Sequence, residues 1–311
     1  MKTSIISIGI CLLFILTVVN PMTVAIDNVK KSSIPITSGK TLYVGGSGEG
    51  NYTSIQDALD NASDGDTVFV YDDSSPYYEF LIINKTINLI GENKFTTIID
   101  GEGNGDIVKV ATDWVNISSF TINNSGLLYS GIEMKNKFNT ITNNIISNNY
   151  NGIYLYKSIG NNISNNIISN SWVAINLEFF SDNNTIKGNM ITKNNFGIIL
   201  CPANNVDILK NNISNNNHYG VCLSYNKIYD IFHYSDKNNI EKNNFFNNGQ
   251  HAFFIAGRKN SWNQNYWGRP RLLPKIIYGL IIIDFLASRE LYPFFPWISI
   301  DWRPAFKPYD I

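Results

Sequence analysis

Five times between residues 131 and 221 a small residue followed by a branched aliphatic opens a short apolar run: Gly131-Ile132, Gly152-Ile153, Ala174-Ile175, Gly197-Ile198 and Gly220-Val221. The steps are 21, 22, 23 and 23 residues, and a beat of that length marks a solenoid with one coil per repeat. In the coil from Gly152 the apolar positions fall in three runs, Ile153 to Leu155, Ile163, and Ile167-Ile168, with asparagine-rich corners between them. Three short strands fit that pattern, and the coil is too short for a crossover through a helix. The pattern therefore predicts an all-β chain, a right-handed parallel β-helix. The beat continues back through Ile107 to Val110 and Ile87 to Ile90, and forward to Ala252-Phe253 after an insertion around Asn226 to Lys237. At about 4.8 Å per coil, roughly nine coils make a rod on the order of 45 Å long.

The ends break the beat. Residues 1–25 read as an export signal, with Lys2, the apolar run Ile5 to Val19, and the small-residue site Thr23-Val24-Ala25; an uncleaved anchor is the alternative. Residues 26–49 read as a leader ending in the flexible Gly45 to Gly50, which lacks the Gly-Lys-Ser/Thr ending of a phosphate loop. Residues 50–63 predict a capping helix: Thr53 or Ser54 starts it, and Ile55, Ala58, Leu59 and Ala62 share its apolar face. The β-helix occupies 64–268, and 269–311 form an aromatic, proline-rich tail that covers the last coil and folds back along one face. Its apolar stretch Ile276 to Leu286 is short for a membrane span and carries Asp284; contact with a partner or a membrane surface is the alternative role.

The asparagines explain the corners. Aligning coils puts Asn144, Asn166, Asn189, Asn212, Asn244 and Asn265 at one level, each before an apolar pair. Asn tolerates the left-handed backbone of a sharp corner, and its amide can bond the Asn above and below.

Charge narrows the partners. With 24 basic and 25 acidic residues, and 16% charged in all, there is no basic surplus for nucleic acid, and a neutral or sugar-like partner fits better. If Cys11 leaves with the signal, only Cys201 and Cys222 remain, so stability rests on the stacked core. Eight Asn-x-Ser/Thr sequons are largely what so Asn-rich a chain contains by chance.

Where Ile153 and Leu155 point inward, their neighbours point outward, which exposes Glu133, Lys135, Tyr154, Tyr156, Asn176, Glu178, Ile199, Cys201, Cys222 and Ser224. Glu133 and Glu178, two coils apart at about 9.6 Å, are the best acid/base pair on this face, at the long edge of the inverting-hydrolase range. A solvated polar face produces such pairs freely. Tyr154, Tyr156 and Asn176 suit sugar stacking and hydrogen bonding without catalysis. Asp100 to Gly105 opens like a calcium loop, but Ala111 stands at its twelfth position, so a Gly-rich corner is favoured over a calcium site.

Tyr52-Thr53-Ser54-Ile55-Gln56-Asp57-Ala58-Leu59, Ile98-Ile99-Asp100-Gly101 and the repeated Asn-Asn-x-Ile with Gly-Ile-Tyr-Leu resemble exported right-handed β-helix repeat proteins, most of all the NosD-like group within the carbohydrate-binding and sugar-hydrolase β-helix superfamily. Trp262 to Trp267 and Trp297 to Trp302 are similar to the ending of archaeal surface members. The resemblance covers about residues 40–311 and implies an exported or cell-surface protein with a role in copper maturation or glycan handling. Copper favours clusters of Cys, Met and His. The chain beyond the signal offers Cys201, Cys222, Met134, Met190, His218, His233 and His251. Cys201 and Cys222 fall on neighbouring coils two strand positions apart, roughly 8 Å, too far for a disulfide; with His218 they make the one candidate soft-metal site, against the simpler reading of two buried thiols and a corner His. The functional expectation is a non-catalytic protein that binds glycans or surface proteins along the rod. A polysaccharide lyase, epimerase or hydrolase, and a copper-maturation factor, are the alternatives.

Overall fold

The computed structural model describes residues 39–228, 231–257, 259–282 and 294–311. The expected export signal, most of the leader and the part of the tail that carries Asp284 lie outside them. Three long sheets wrap the chain. One coil runs Asn151–Tyr156 in the third sheet, Asn162–Ser164 in the first and Ile167–Ser169 in the second, and returns to the third at Val173–Glu178. The first and third sheets have ten strands and the second has eight. Apart from a last antiparallel pair in the third sheet, each pairs in parallel with the coil before and after, which is the parallel β-helix that the beat predicts.

Inward side chains of successive coils stack at fixed levels, one per coil in the first sheet and two in the third. Ile117, Ile141, Ile163, Ile186, Ile208 and Ile240 stack in the first sheet, and Ile132, Ile153, Ile175, Ile198 and Val221 in the third, all fully buried. Each such side chain contributes about 1.5–3 kcal/mol of transfer free energy. The small residue before the third-sheet aliphatic is there for closeness of approach. A Cβ on Gly197 would lie 2.3 Å from the Gly220 carbonyl oxygen, and Ala174 is the largest residue in the series.

The first sheet starts earlier than expected. Thr41–Val44, inside the stretch read as leader, pairs in parallel with Thr67–Val70 because Leu42 and Val44 alternate into the core. The Gly45 to Gly50 segment is tied down as well: Gly46 N–H donates to Asp73 Oδ1 (2.9 Å) and Asn51 Nδ2 to the Gly45 carbonyl (2.6 Å). Helix α1, Ile55–Asn61, has Ser54 as its N-cap and buries Ile55, Ala58 and Leu59. Glu79 accepts from the N–H groups of Ile55 and Gln56 and from the Ser54 hydroxyl, all at 2.9 Å, so a carboxylate closes the helix start as the dipole favours.

The corner between the first and second sheets holds a continuous asparagine ladder, with one correction to its members. It runs Asn144, Asn166, Asn189, Asn211, Asn243, Asn265, each 0–1% exposed; Asn144 Oδ1 accepts from Phe120 N–H, and each later Oδ1 accepts from the backbone and side-chain nitrogens of the Asn one coil earlier. Asn212 and Asn244 are instead the first residues of second-sheet strands, level with Met190 and Tyr266. Where two asparagines stand together, alignment by composition cannot tell the inward from the outward one; register can. The left-handed backbone also falls one residue earlier than the ladder, on Asn143, Asn165, Gly188, Lys210, Lys242 and Gln264. Further stacks fill the other corners, Asn149-Ser171-Asn194-Asn216-Asn248 and Asn139-Asn161-Asn184 among them.

The tail closes the far end. Lys275–Ile282 adds to the third sheet and pairs antiparallel with Phe294–Asp301. Asp301, fully buried, accepts from Asn265 N–H (3.0 Å), Gln264 N–H (3.2 Å) and Trp267 Nε1 (3.0 Å), and so takes the place of the next ladder rung. The chain then folds back: Ala305 N–H donates to the Asn265 carbonyl, Tyr309 exchanges two bonds with the Asn244 side chain, and Asn212 Nδ2 donates to the Ile311 carbonyl. Asn212 and Asn244 thus hold the tail.

Beside this cap His251 packs between Phe245 and Trp267. Burial, reinforced by Lys275 and Arg271, holds its imidazole down from 6.5 to about 4. Between those values the unfolded chain binds the proton and the folded chain does not, so this contribution to stability is complete above pH 6.5 and is lost as pH falls toward 4. The carboxyls of Glu178, Asp106 and Asp182, raised by burial, act in the opposite sense. The expected result is that His251→Gln flattens the decline in denaturation midpoint between pH 6.5 and 4 relative to the parent chain; parallel curves would assign the decline to other groups.

Candidate functional site on the outer face of the third sheet

The outward positions of the third sheet form two rows along the rod. Register places Lys109, Glu133, Tyr154, Asn176, Ile199, Cys222 and Phe253 in one. Tyr156, Glu178 and Cys201 lie in the next, two residues on. The rows therefore run polar in the earlier coils and apolar in the later ones. Facing outward does not leave them exposed: Glu133, Asn176, Ile199, Cys201, Cys222 and Ser224 are each 7–8% exposed.

In the polar half, Tyr154 OH donates to Glu178 Oε2 at 2.9 Å and Asn176 Nδ2 to Glu178 Oε1 at 3.1 Å. Burial pushes the Glu178 carboxyl above its usual range despite those two donors. Burial and the nearby Glu178 charge raise the Tyr154 phenol. Glu133 sits between Lys135 Nζ (2.8 Å) and Lys109 Nζ (3.6 Å). Its Oε2 and Asn176 Oδ1 are buried acceptors without a hydrogen-bond partner. Tyr156 packs on Phe179 at 4.8 Å, with Lys157 Nζ 5.4 Å from its ring.

The expected acid/base pair does not form. Glu133 is level with Tyr154 and Asn176, whereas Glu178 is level with Tyr156, so two rungs and a two-residue offset separate the carboxylates by about 12 Å along the backbone grid. That lies beyond the roughly 6.5–9.5 Å span of an inverting pair. Tyr154 stands between them, and Glu133 is already neutralised by lysines.

In the apolar half, Val173, Ile199, Cys201 and Cys222 form a cluster outside the main core with Trp172, Phe196, Tyr219 and Phe253. Ring centroids step from Tyr150 to Trp172 (6.3 Å), Trp172 to Phe196 (6.0 Å), Phe196 to Tyr219 (6.0 Å) and Tyr219 to Phe253 (5.2 Å). Each ring is half-buried and comes from a successive coil. The sequence carried the first four rings of this track, Tyr150, Trp172, Phe196 and Tyr219, as one aromatic just before or at the start of a third-sheet strand, a signal that alignment on Gly-Ile alone passes over; Phe253 lies three residues into its strand.

The soft-metal candidates stay apart. Cys222 is level with Ile199 rather than Cys201, as the spacing predicted, and the Cys201 thiol donates to the Tyr225 carbonyl (3.1 Å). His218 stacks on Phe196 (4.8 Å) and His233 packs edge-on to Phe180 (4.9 Å). Met134 is in the core and Met190 is on the second sheet. No group of three or more His, Cys, Asp and Glu side chains placed to hold a metal occurs among the described residues. Asp100, first residue of the calcium-like loop, instead accepts from Glu102 N–H and Asn124 Nδ2 within its own corner.

Among solved structures the chain is similar to an alginate lyase from Paenibacillus (13% identity, TM-score 0.43, 73% of this chain and 95% of that one). It is similar too to the A-module of a mannuronan C-5 epimerase from Azotobacter vinelandii (15%, 0.48, 68% and 73%) and to a pectin methylesterase from Aspergillus niger (14%, 0.43, 75% and 79%). No curated protein matches it. Residues 59–271, the solenoid from helix α1 to the last turn before the terminal hairpin, match one family model, and the chain accordingly belongs to the NosD family, described as periplasmic copper-binding protein.

Proposed function

We propose that this β-helix binds polysaccharide along the outer face of its third sheet without cleaving it, as an exported protein of the cell surface or extracellular space. The observation that carries the reading is the aromatic track from Tyr150 to Phe253 beside the Tyr154, Asn176 and Glu178 cluster. The track repeats at about the length of one sugar ring, offers stacking faces to a chain laid parallel to the rod axis, and has hydrogen-bonding side chains alongside.

A carbohydrate-active role is the second reading, favoured by the raised Glu178 carboxyl, which is the protonation a general acid needs. The separation of Glu133 from Glu178 favours binding. A surface protein lying on the same track is a further alternative partner. The family's copper does not fit the described residues: the two thiols, the imidazoles and the methionines each have another packing or hydrogen-bonding role, and no reaction step is drawn through the metal.

Titration with neutral and uronic-acid oligosaccharides tests the proposal. Saturable binding is expected, weakened about tenfold by Trp172→Ala, the loss of one stacking face. Turnover of any of these sugars that disappears in Glu178→Gln would replace the binding reading with the enzymatic one.

A further inference from the structure

The turn between the last second-sheet strand, Tyr266–Trp267, and the terminal hairpin has a composition unlike the rest of the chain: Gly268-Arg269-Pro270-Arg271-Leu272-Leu273-Pro274-Lys275. Leu272 is 90% exposed and Leu273 77%, the two most exposed aliphatic side chains of the described solenoid and cap apart from Leu127. Three cations flank them. None of the three forms a salt bridge among the described residues, and Arg271 Nε is buried without a hydrogen-bond partner. Burial and mutual repulsion depress Arg271 and Lys275, the mark of positive charges gathered close together. The strand that follows continues the apolar surface: Tyr278 is 61% exposed, and Ile298, its antiparallel register partner, 49%.

We propose that this turn and the adjoining face of the terminal hairpin dock on an anionic lipid surface, Leu272 and Leu273 entering the acyl boundary while Arg269, Arg271 and Lys275 meet the headgroups. A soluble anion would use the cations and leave both leucines in water. A lipid surface uses both halves of the motif at once, with a tyrosine at the level where amphipathic rings prefer to sit. The turn lies on the cap, one rung beyond the third-sheet strand that carries Phe253, and the proposal does not depend on the sugar-binding reading.

Co-sedimentation of the full chain with phosphatidylcholine vesicles, with and without phosphatidylglycerol, tests it. Binding is expected only to the anionic vesicles and should fall with added salt. The Leu272→Ser, Leu273→Ser double variant should lower partition about tenfold or more. Arg269→Gln with Arg271→Gln should lower it roughly 25-fold, about fivefold per charge. The leucine variant should keep the parent melting temperature, since both leucines are exposed. Equal binding to neutral vesicles, no binding to either, or partition unchanged in the leucine variant, as an apolar segment elsewhere in the chain would produce, overturns the proposal. So does saturable binding of inorganic phosphate without partition to vesicles, which would make the turn a soluble-anion site.

Discussion

Asp301→Ala is expected to destabilise the chain by about 4 kcal/mol and to loosen its last coils first. The carboxylate is fully buried and serves five donors: the backbone nitrogens of Gln264, Asn265 and Arg303, the Asn265 side chain and the Trp267 indole. Alanine leaves these donors without a partner in a place water does not reach, at about 1–3 kcal/mol for each one that stays unsatisfied. It also removes the rung that ends the asparagine ladder. In a solenoid each coil is held by its neighbours, so damage at one end propagates inward from that end. Amide exchange should accelerate across 239–267 while the coils around residues 117–168 keep their protection. Asp301→Asn, which retains one acceptor and the shape, should fall between the two. A loss below 1 kcal/mol, or exchange accelerated evenly along the rod, would show that the tail is not the structural cap described above.

For Asn189→Ala the expected cost is about 3 kcal/mol, in the middle of the rod. Asn189 Oδ1 accepts from the backbone and side chain of Asn166 (3.0 and 3.1 Å), and its Nδ2 donates to the Ile163 carbonyl (2.9 Å) and to Asn211 Oδ1 (3.0 Å). All of these atoms are buried, and methyl replaces none of the bonds. The informative control is Asn212→Ala. Its side chain faces the tail rather than the ladder, so the midpoint of unfolding should shift by under 1 kcal/mol. Equal losses in the two variants, measured by denaturant unfolding, would contradict the register that separates Asn211 from Asn212.

The fold was legible because a coil is a local object. Its length, its three apolar runs and its small residue before the aliphatic all lie within one repeat, and stacking copies them. The Tyr225–Ile228 and Ile231–Tyr234 hairpin fell where the beat broke, and the tail folded back as its loss of asparagine suggested. The strand Thr41–Val44 is hard to see in the sequence because four residues among glycines show too little alternation to outweigh their surroundings.

The site was less legible, since it depends on which residues of neighbouring coils share a level. A one-residue slip exchanges inside for outside. In sequence alone Asn212 and Asn244 are indistinguishable from Asn211 and Asn243, and neglect of a two-residue offset places Glu178 too near Glu133. The aromatics of five successive coils appeared as scattered rings until they were stacked.

By itself the sequence determined the architecture: a parallel β-helix with asparagine corners, a helix over its first coil and a folded-back tail, because periodic burial of apolar side chains admits few other solutions at this repeat length. Only the tertiary structure decided which asparagines form the ladder, that Asp301 ends it, that Tyr154 holds Glu178 and that the cysteines and histidines stay apart. Those facts depend on contacts between residues 22 to 37 positions distant in the chain, set by hydrogen-bond register between coils, and no property of a single repeat encodes them.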